Sequence, residues 1–248
     1  MSNSKKRAAE DAPTLKQAKK KKKNKSSNPE DESLDTELGV NTLFSRMDNQ
    51  LLADYLAQKT SRFGSELSPI EIADLTVTAA SISDTSSWQE TRTLEKLPGF
   101  IEKFAEKPES LTKPPKKKGA PHTLIVAGAG LRAANITRAV RKFQTKDNAV
   151  AKLFAKHMKV EEQVEFLKNK KTGIAVGTPA RLIALIENGA LSLENLQRLV
   201  VDASHIDQKK RGVMDMKETA MPLAQFLARK EFKERYGSEE KPLALLFY

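Results

Sequence analysis

Apolar residues recur with two different periods along this 248-residue chain. Between residues 41 and 63, Leu43, Phe44, Met47, Leu51, Leu52, Tyr55 and Leu56 fall at helical spacing, and Gly64 closes the run. One amphipathic helix is predicted there, needing burial on its own domain or on a partner. After Pro121, short apolar runs alternate with helical patterns. Residues 123–127 (T-L-I-V-A) read as a buried strand, 128–130 as a turn, and 131–143 as a helix with Ile136, Val140 and Phe143 inward. Strands follow at 150–154, 173–176, 199–201 and 242–248, separated by helices at 160–167, from Pro179, and at 220–236. In the last of these helices Leu223, Phe226, Leu227 and Phe232 share a side. Five strands alternating with helices predict an α/β fold, a doubly wound parallel sheet with helices on both faces.

The centre of this pattern is the stretch 171–207. Thr178-Pro179 opens its helix, with Pro in the first turn, and Asn188-Gly189 stops it. Strand, helix, loop and strand of these lengths make a βαβ unit, whose strand ends are where such folds place ligands. Upstream the signals are weaker. Ser68-Pro69 opens a short segment, Trp88 is the single tryptophan, and residues 94–104 predict a helix broken near Pro98-Gly99. Residues 107–118, with three prolines and the run Lys116-Lys117-Lys118, read as a polar linker or surface loop. The organisation predicted is a disordered tail at 1–38, a helical and irregular extension at 39–118, and the α/β domain at 119–248.

Charge sharpens the tail. Residues 1–28 carry ten Lys or Arg against Glu10 and Asp11, so +8 of the net +11 lies there. With almost no apolar side chains, residues 1–38 cannot offset their ordering entropy. Lys5, Lys6 and Arg7 form one basic cluster, and Lys19, Lys20, Lys21, Lys22 and Lys23 a second. Two such clusters suit a nuclear import signal or a nucleic-acid arm, while the plain alternative is a solubilising tail. Absence of cysteine excludes disulfides and thiolate metal sites, and His122, His157 and His205 are too scattered for a zinc site. Neither an apolar run long enough to cross a membrane nor a signal-peptide core occurs, so a soluble intracellular protein is expected.

Candidate chemistry clusters at the predicted strand ends. Gly128-Ala129-Gly130 follows a strand as a dinucleotide-binding turn would, but position 133 is Ala, which breaks the G-x-G-x-x-G spacing. No G-x-x-x-x-G-K-[ST] occurs, so a nucleoside triphosphate lacks both its backbone cradle and its lysine. Gly177-Thr178-Pro179-Ala180-Arg181 sets a helix N-terminus, a hydroxyl and a cation together, which favours an anion. On spacing alone, the preferred reading is that Thr178 merely caps the helix and Arg181 lies on its solvated face. Asp202-Ala203-Ser204-His205 follows a strand where a magnesium-binding aspartate can sit, yet one carboxylate without a phosphate loop makes a poor metal site. Asp202 can equally cap the next turn, and His205 lacks a partner at catalytic spacing.

Taken together, residues 121–248 resemble the first RecA-like domain of DEAD-box RNA helicases. Thr178-Pro179-Ala180-Arg181-Leu182 matches that family's RNA-backbone motif T-P-G-R-L with Ala for Gly. The Asp-Glu-Ala-Asp box falls on Asp202-Ala203-Ser204-His205 and keeps only its first aspartate, with Ala203 replacing the carboxylate that positions water. The P-T-R-E-L-A element falls loosely on residues 127–132, where Arg132 and a small-residue turn correspond. Neither a Ser-Ala-Thr element nor a second RecA-like domain follows in these 248 residues.

The basic tail, S-P-I-E-I-A-D-L at 68–75 and D-T-S-S-W-Q-E-T-R-T-L-E-K-L-P-G-F-I at 84–101 resemble the Cms-one family over residues 41–248. That resemblance implies a nucleolar, helicase-like protein of the small-subunit processome, acting in ribosome biogenesis and rRNA processing. Its implied partners are pre-ribosomal RNA and small-subunit assembly proteins within a ribonucleoprotein, with no membrane, cofactor, metal or small-molecule substrate. A pseudo-helicase without catalysis is expected, with Gly128, Gly130, Arg132, Thr178, Pro179 and Arg181 as candidate RNA contacts. The rival expectation is an ATP-dependent RNA helicase or other phosphate-handling enzyme using a divergent site at 128–130 and Asp202.

Overall fold

A computed structural model describes residues 32–155 and 158–248, and residues 33–248 form one compact unit. The basic clusters at 5–7 and 19–23, and His157, lie outside the described residues. At the centre is a five-stranded, all-parallel sheet built from β3 (Thr123–Val126), β4 (Ala149–Leu153), β5 (Thr172–Gly177), β6 (Arg198–Val201) and β7 (Ala244–Phe247), in the order β4-β5-β3-β6-β7. The apolar runs that predicted these strands are almost wholly buried because both faces are covered. Leu124, Val126, Leu199, Val201, Leu245 and Phe247 face one layer, with helices α1 (Asn49–Phe63), α5 (Val160–Asn169), α6 (Pro179–Glu187) and α7 (Lys217–Leu227). Ile125, Val176, Val200 and Leu246 face the other, with α3 (Leu97–Lys103) and α4 (Gly130–Ala139). The α/β expectation therefore holds.

This layering positions the site. The helix after β3 lies on one face, whereas those after β4, β5 and β6 lie on the other. Neighbouring strands whose connections leave to opposite sides open a crevice between them at their carboxyl ends. Here β3 has such a neighbour on each side, so the loops at 127–130, 178–180 and 202–205 converge.

Three segments differ from the periodicity prediction. The first helix begins at Asn49, because the Asp48 side chain accepts from the Leu51 N–H at 2.8 Å and caps it there. Residues Thr42–Ser45 form a separate 3-10 turn that buries Phe44, and Leu51 is left exposed. Pro98 does not break a helix at 94–104; it lies in the first turn of α3, where its missing N–H is harmless. Gly99 leaves room for Trp88, whose Cη2 would be 3.4 Å from an added Cβ. The long C-terminal helix predicted at 220–236 divides at Ala228-Arg229 into α7 and α8 (Lys230–Lys233). In an unbroken helix Phe226 and Phe232 would be about 120° apart around the axis. The break brings both buried rings edge to face, 5.1 Å between centroids.

The last residues of the stretch expected to be disordered are also ordered. β1 (Leu34–Asp35) and β2 (Val40–Asn41) pair antiparallel around Gly39 at φ +66°. The hairpin is held to the body by Asn41 N–H on the Ser204 carbonyl (2.7 Å) and Ile206 N–H on the Gly39 carbonyl (3.0 Å). α2 (Pro69–Asp74) opens with a capping box between Ser68 and Glu71. At the far side of the sheet, Ile82 adds a parallel bridge to Leu245 beyond β7. No helix among the described residues is long and apolar enough to cross a membrane.

His122, just before β3, is buried, with Nδ1 2.8 Å from the Thr123 hydroxyl and Nε2 without a partner. Burial first, and the positive charge of Arg198 second, press its pKa down to about 4. A histidine depressed in the folded state adds stability above its unfolded value near 6.5, and that stability is lost as pH falls toward 4. Urea unfolding as a function of pH should therefore show up to about 3 kcal/mol of loss across that window, and His122→Gln should remove it. Parallel profiles for the two proteins would contradict the assignment.

Candidate nucleic-acid interface at the strand ends

The loop after β3 is anchored by the Ala127 N–H, which donates to the Gly177 carbonyl of β5 at 2.9 Å. Gly128 and Gly130 do not need glycine for a left-handed backbone, since neither has positive φ. At Gly128 the reason is space: an added Cβ would lie 3.2 Å from both Cα and Cβ of Val213. The room that glycine leaves at this turn is thus taken by the 212–216 loop. Gly130 opens α4, behind the exposed N-cap position of Ala129.

Arg132, two residues into α4, and Asp202, at the end of β6, form a two-point ion pair. Arg132 Nε donates to Asp202 Oδ2 and Nη2 to Oδ1, each at 2.8 Å, with the two side chains only 10% and 2% exposed. Burial works against the charge on Arg132, but the Asp202 carboxylate more than offsets it and raises the guanidinium pKa above its ordinary value. Both residues line a cavity of about 60 Å³ together with Gly128, His205, Arg211 and Met216. Small-molecule sites are typically about 300–1,000 Å³. His205 is half-buried there; burial and then the charge of Arg132 lower its pKa.

The rest of the Asp202–His205 stretch is held from two sides. The N–H groups of Ala203 and Ser204 both donate to the Tyr248 carbonyl at 2.7 Å, and the Ser204 carbonyl accepts from Asn41. Arg92 braces the same end of the sheet, donating from Nη1 to the Phe247 carbonyl at 2.5 Å and from Nη2 to the Thr85 hydroxyl at 3.0 Å. Sequence reasoning did not single out Arg92, Val213 or the hairpin. No local spacing carries them, because each acts through a contact distant in the chain.

At the end of β5, Thr178 holds the N-cap position of α6 but makes no side-chain cap bond, leaving its half-exposed hydroxyl uncommitted to the helix. Pro179 is buried. Arg181 is not a solvated side chain: Nη1 donates to Gln163 Oε1 at 2.8 Å and to the Met158 carbonyl at 3.1 Å. Gln163 is itself fully buried and donates to the Lys152 and Phe154 carbonyls, both at 3.0 Å. Arg181 therefore ties α6 to α5 and β4. The fold brings Gly128, Gly130, Arg132 and Asp202 together and sets Thr178 beside them across β5, but both guanidinium groups are engaged within the protein. Among the described residues, no group of three His, Asp or Glu side chains is placed to hold a metal ion.

A family described as CMS1, the U3-containing 90S pre-ribosomal complex subunit, matches residues 1–248. The chain belongs to this family. Protein CMS1 of Chaetomium thermophilum is 62% identical over 246 residues, covering 99% of this chain and 97% of the relative. Human Protein CMSS1 is 36% identical over 122 residues, 49% of this chain and 43% of that protein. Among solved structures, the yeast DEAD-box splicing factor Prp28 is similar at 19% identity and a TM-score of 0.42, over 56% of this chain and 30% of that chain. That likeness adds nothing to the strand order already described. Membership of the CMS1 family places the chain in ribosome biogenesis.

The Arg132–Asp202 pair should dominate local stability in this CMS1-family fold. Arg132→Ala leaves a buried carboxylate uncompensated and should cost about 3–5 kcal/mol by denaturant unfolding. Replacing both residues with leucine should recover most of that loss. A double variant as unstable as the single one would show that the pair is not what holds these loops.

Proposed function

We propose that this chain is a non-catalytic, binding subunit of the 90S pre-ribosomal complex, working in the nucleolus. It holds pre-ribosomal RNA and assembly proteins rather than turning over nucleotide. The observation that carries this reading is the state of Asp202. Its carboxylate, at the position where the helicase resemblance expects a magnesium ligand, is taken on both oxygens by Arg132. The crevice beside it is about 60 Å³, enough for a water or two and far short of a nucleoside triphosphate. Ala203 adds no carboxylate to direct water, and the sequence has no phosphate loop.

RNA contact at this end is assigned to the Thr178 hydroxyl and the first turn of α6, where the N–H groups of Ala180 and Arg181 lack intrahelical partners. Arg132 and Arg181 then serve by fixing the loops on either side. The basic clusters at 5–7 and 19–23 add delocalised attraction and nuclear import.

Two measurements on the full-length chain test this reading. Titration with ATP and magnesium should give no saturable binding, whereas micromolar binding abolished by Asp202→Asn would contradict it. Affinity for single-stranded RNA should fall with salt by about 0.7 in log K per log unit for each phosphate neutralised. Deleting residues 1–28 should flatten that slope, and an unchanged slope would remove the tail from the interface.

A further inference from the structure

The opposite edge of the sheet, where the strands begin, carries a group of exposed lysines around a buried arginine. Arg198 opens β6 and is 3% exposed. Its guanidinium donates to the Thr123 hydroxyl at 3.0 Å and to Gln197 Oε1 at 3.2 Å, and among the described residues no carboxylate lies within 4 Å of it. Buried charges are ordinarily paired, and Arg198, like Arg92, is satisfied only by neutral acceptors. Burial lowers its pKa, and the more distant Glu106 offsets part of that effect.

Arg198 forms part of the wall of a cavity of about 580 Å³, which also presents Lys113, Lys116, Lys241 and the half-exposed Phe104, whose ring packs on Phe100 at 4.7 Å between centroids with Lys103 Nζ 5.9 Å from it. Arg235 is there too, spent on the Leu193, Leu196 and Lys241 carbonyls. Three carboxylates line the same space, of which Glu194 is neutralised by Lys117 at 2.9 Å, leaving Glu106 and Glu240. Next along the rim, a second hollow of about 290 Å³ is edged by Lys118, Lys146, Lys170 and Lys171, with Asp147 as its acid.

The K-P-P-K-K-K segment at 113–118 joins the two hollows, giving Lys113 and Lys116 to one and Lys118 to the other. Gly119 pins its end: at φ +62°, an added Cβ would meet the Ala190 carbonyl at 2.5 Å, and its own carbonyl accepts from Ser192 at 2.7 Å. The prolines and this pin hold the lysines in place instead of leaving them on a loose linker. Five parallel strands at about 4.8 Å spacing make the rim about 20 Å long.

We propose that this strand-start rim is a binding track for single-stranded RNA, separate from the Thr178 end, with phosphates on Lys113, Lys116, Lys241 and Lys118 and a base stacked on Phe104. A basic groove interleaved with an exposed aromatic face is the pattern by which single strands are held without sequence readout. The half-exposed Phe104 favours a nucleic acid over an acidic peptide, which has no planar group to stack. The proposal rests on the reading of the chain as RNA-binding and assigns that activity to a different edge.

The test is equilibrium binding of a labelled single-stranded oligoribonucleotide to the full chain, with photocrosslinking to map the contact. The exposed-lysine variant Lys113→Ala/Lys116→Ala/Lys241→Ala should flatten the salt slope by about 2, three phosphates at about 0.7 each. Phe104→Leu, which keeps an apolar side chain against the core, should weaken binding at least about fivefold. Crosslinks should fall on residues 104–118 and 235–244. Slope, affinity and crosslinks unchanged in these variants but lost in Thr178→Ala would overturn the rim and leave the strand-end reading standing. Absence of RNA binding by the unaltered chain would overturn both. A polyglutamate peptide that displaces the oligonucleotide as well, charge for charge, as unlabelled RNA would overturn RNA as the occupant in favour of an acidic protein segment.

Discussion

A buried carboxylate must be neutralised, bound to a metal or paired, and at Asp202 the protein has paired it. Arg132 reaches from the first turn of α4 across the crevice between β3 and β6 and takes both oxygens. Much of the surrounding architecture follows from that choice. The helix after β3 has to begin at Gly130 to bring Arg132 within reach. The turn before it has to be narrow enough at Gly128 to admit Val213, and His205 is left beside a cationic neighbour. The crevice that an α/β sheet opens at such a point is consequently almost filled by the protein's own groups.

The outer supports of this end come from segments far apart in the chain. The β1–β2 hairpin grips Ser204 and Ile206, Tyr248 receives two N–H groups from Ala203 and Ser204, and Arg92 closes over Phe247. These are hydrogen bonds to backbone, which fix position without offering a reactive group. A site built this way is stiff and pre-shaped. At the strand starts Arg198 is held by neutral partners, and the exposed Lys113, Lys116 and Lys118 lie on a proline-stiffened strap whose Lys117 is paired with Glu194.

Much of the fold was legible because doubly covered parallel strands are continuous apolar runs. The stretches at 123–127, 173–176 and 199–201 could hardly be read otherwise. Boundaries were lost where one side chain decided them. Asp48 restarted a helix that Leu43 and Phe44 would begin, and the edge-to-face contact of Phe226 with Phe232 goes with the division of another. The candidate site was legible as a location and not as a state. Thr178, Arg132 and Asp202 could be placed at strand ends from spacing, but whether an arginine faces solvent or a carboxylate 70 residues away is a tertiary fact. The reading of 107–118 as a polar linker or surface loop could not show for the same reason that Arg198 and Lys241, distant in sequence, lie alongside its lysines.

The central claim is that the strand-end crevice is closed by Arg132 on Asp202, so that the chain acts by binding. It is tested most directly by cryo-electron microscopy of the assembled pre-ribosomal particle prepared with ATP and magnesium, at a resolution that shows side chains. The account predicts Arg132 and Asp202 still paired, the crevice without nucleotide, and RNA against the surface of this chain. Phosphate density in the crevice, with a metal on Asp202 and Arg132 turned away, would contradict it.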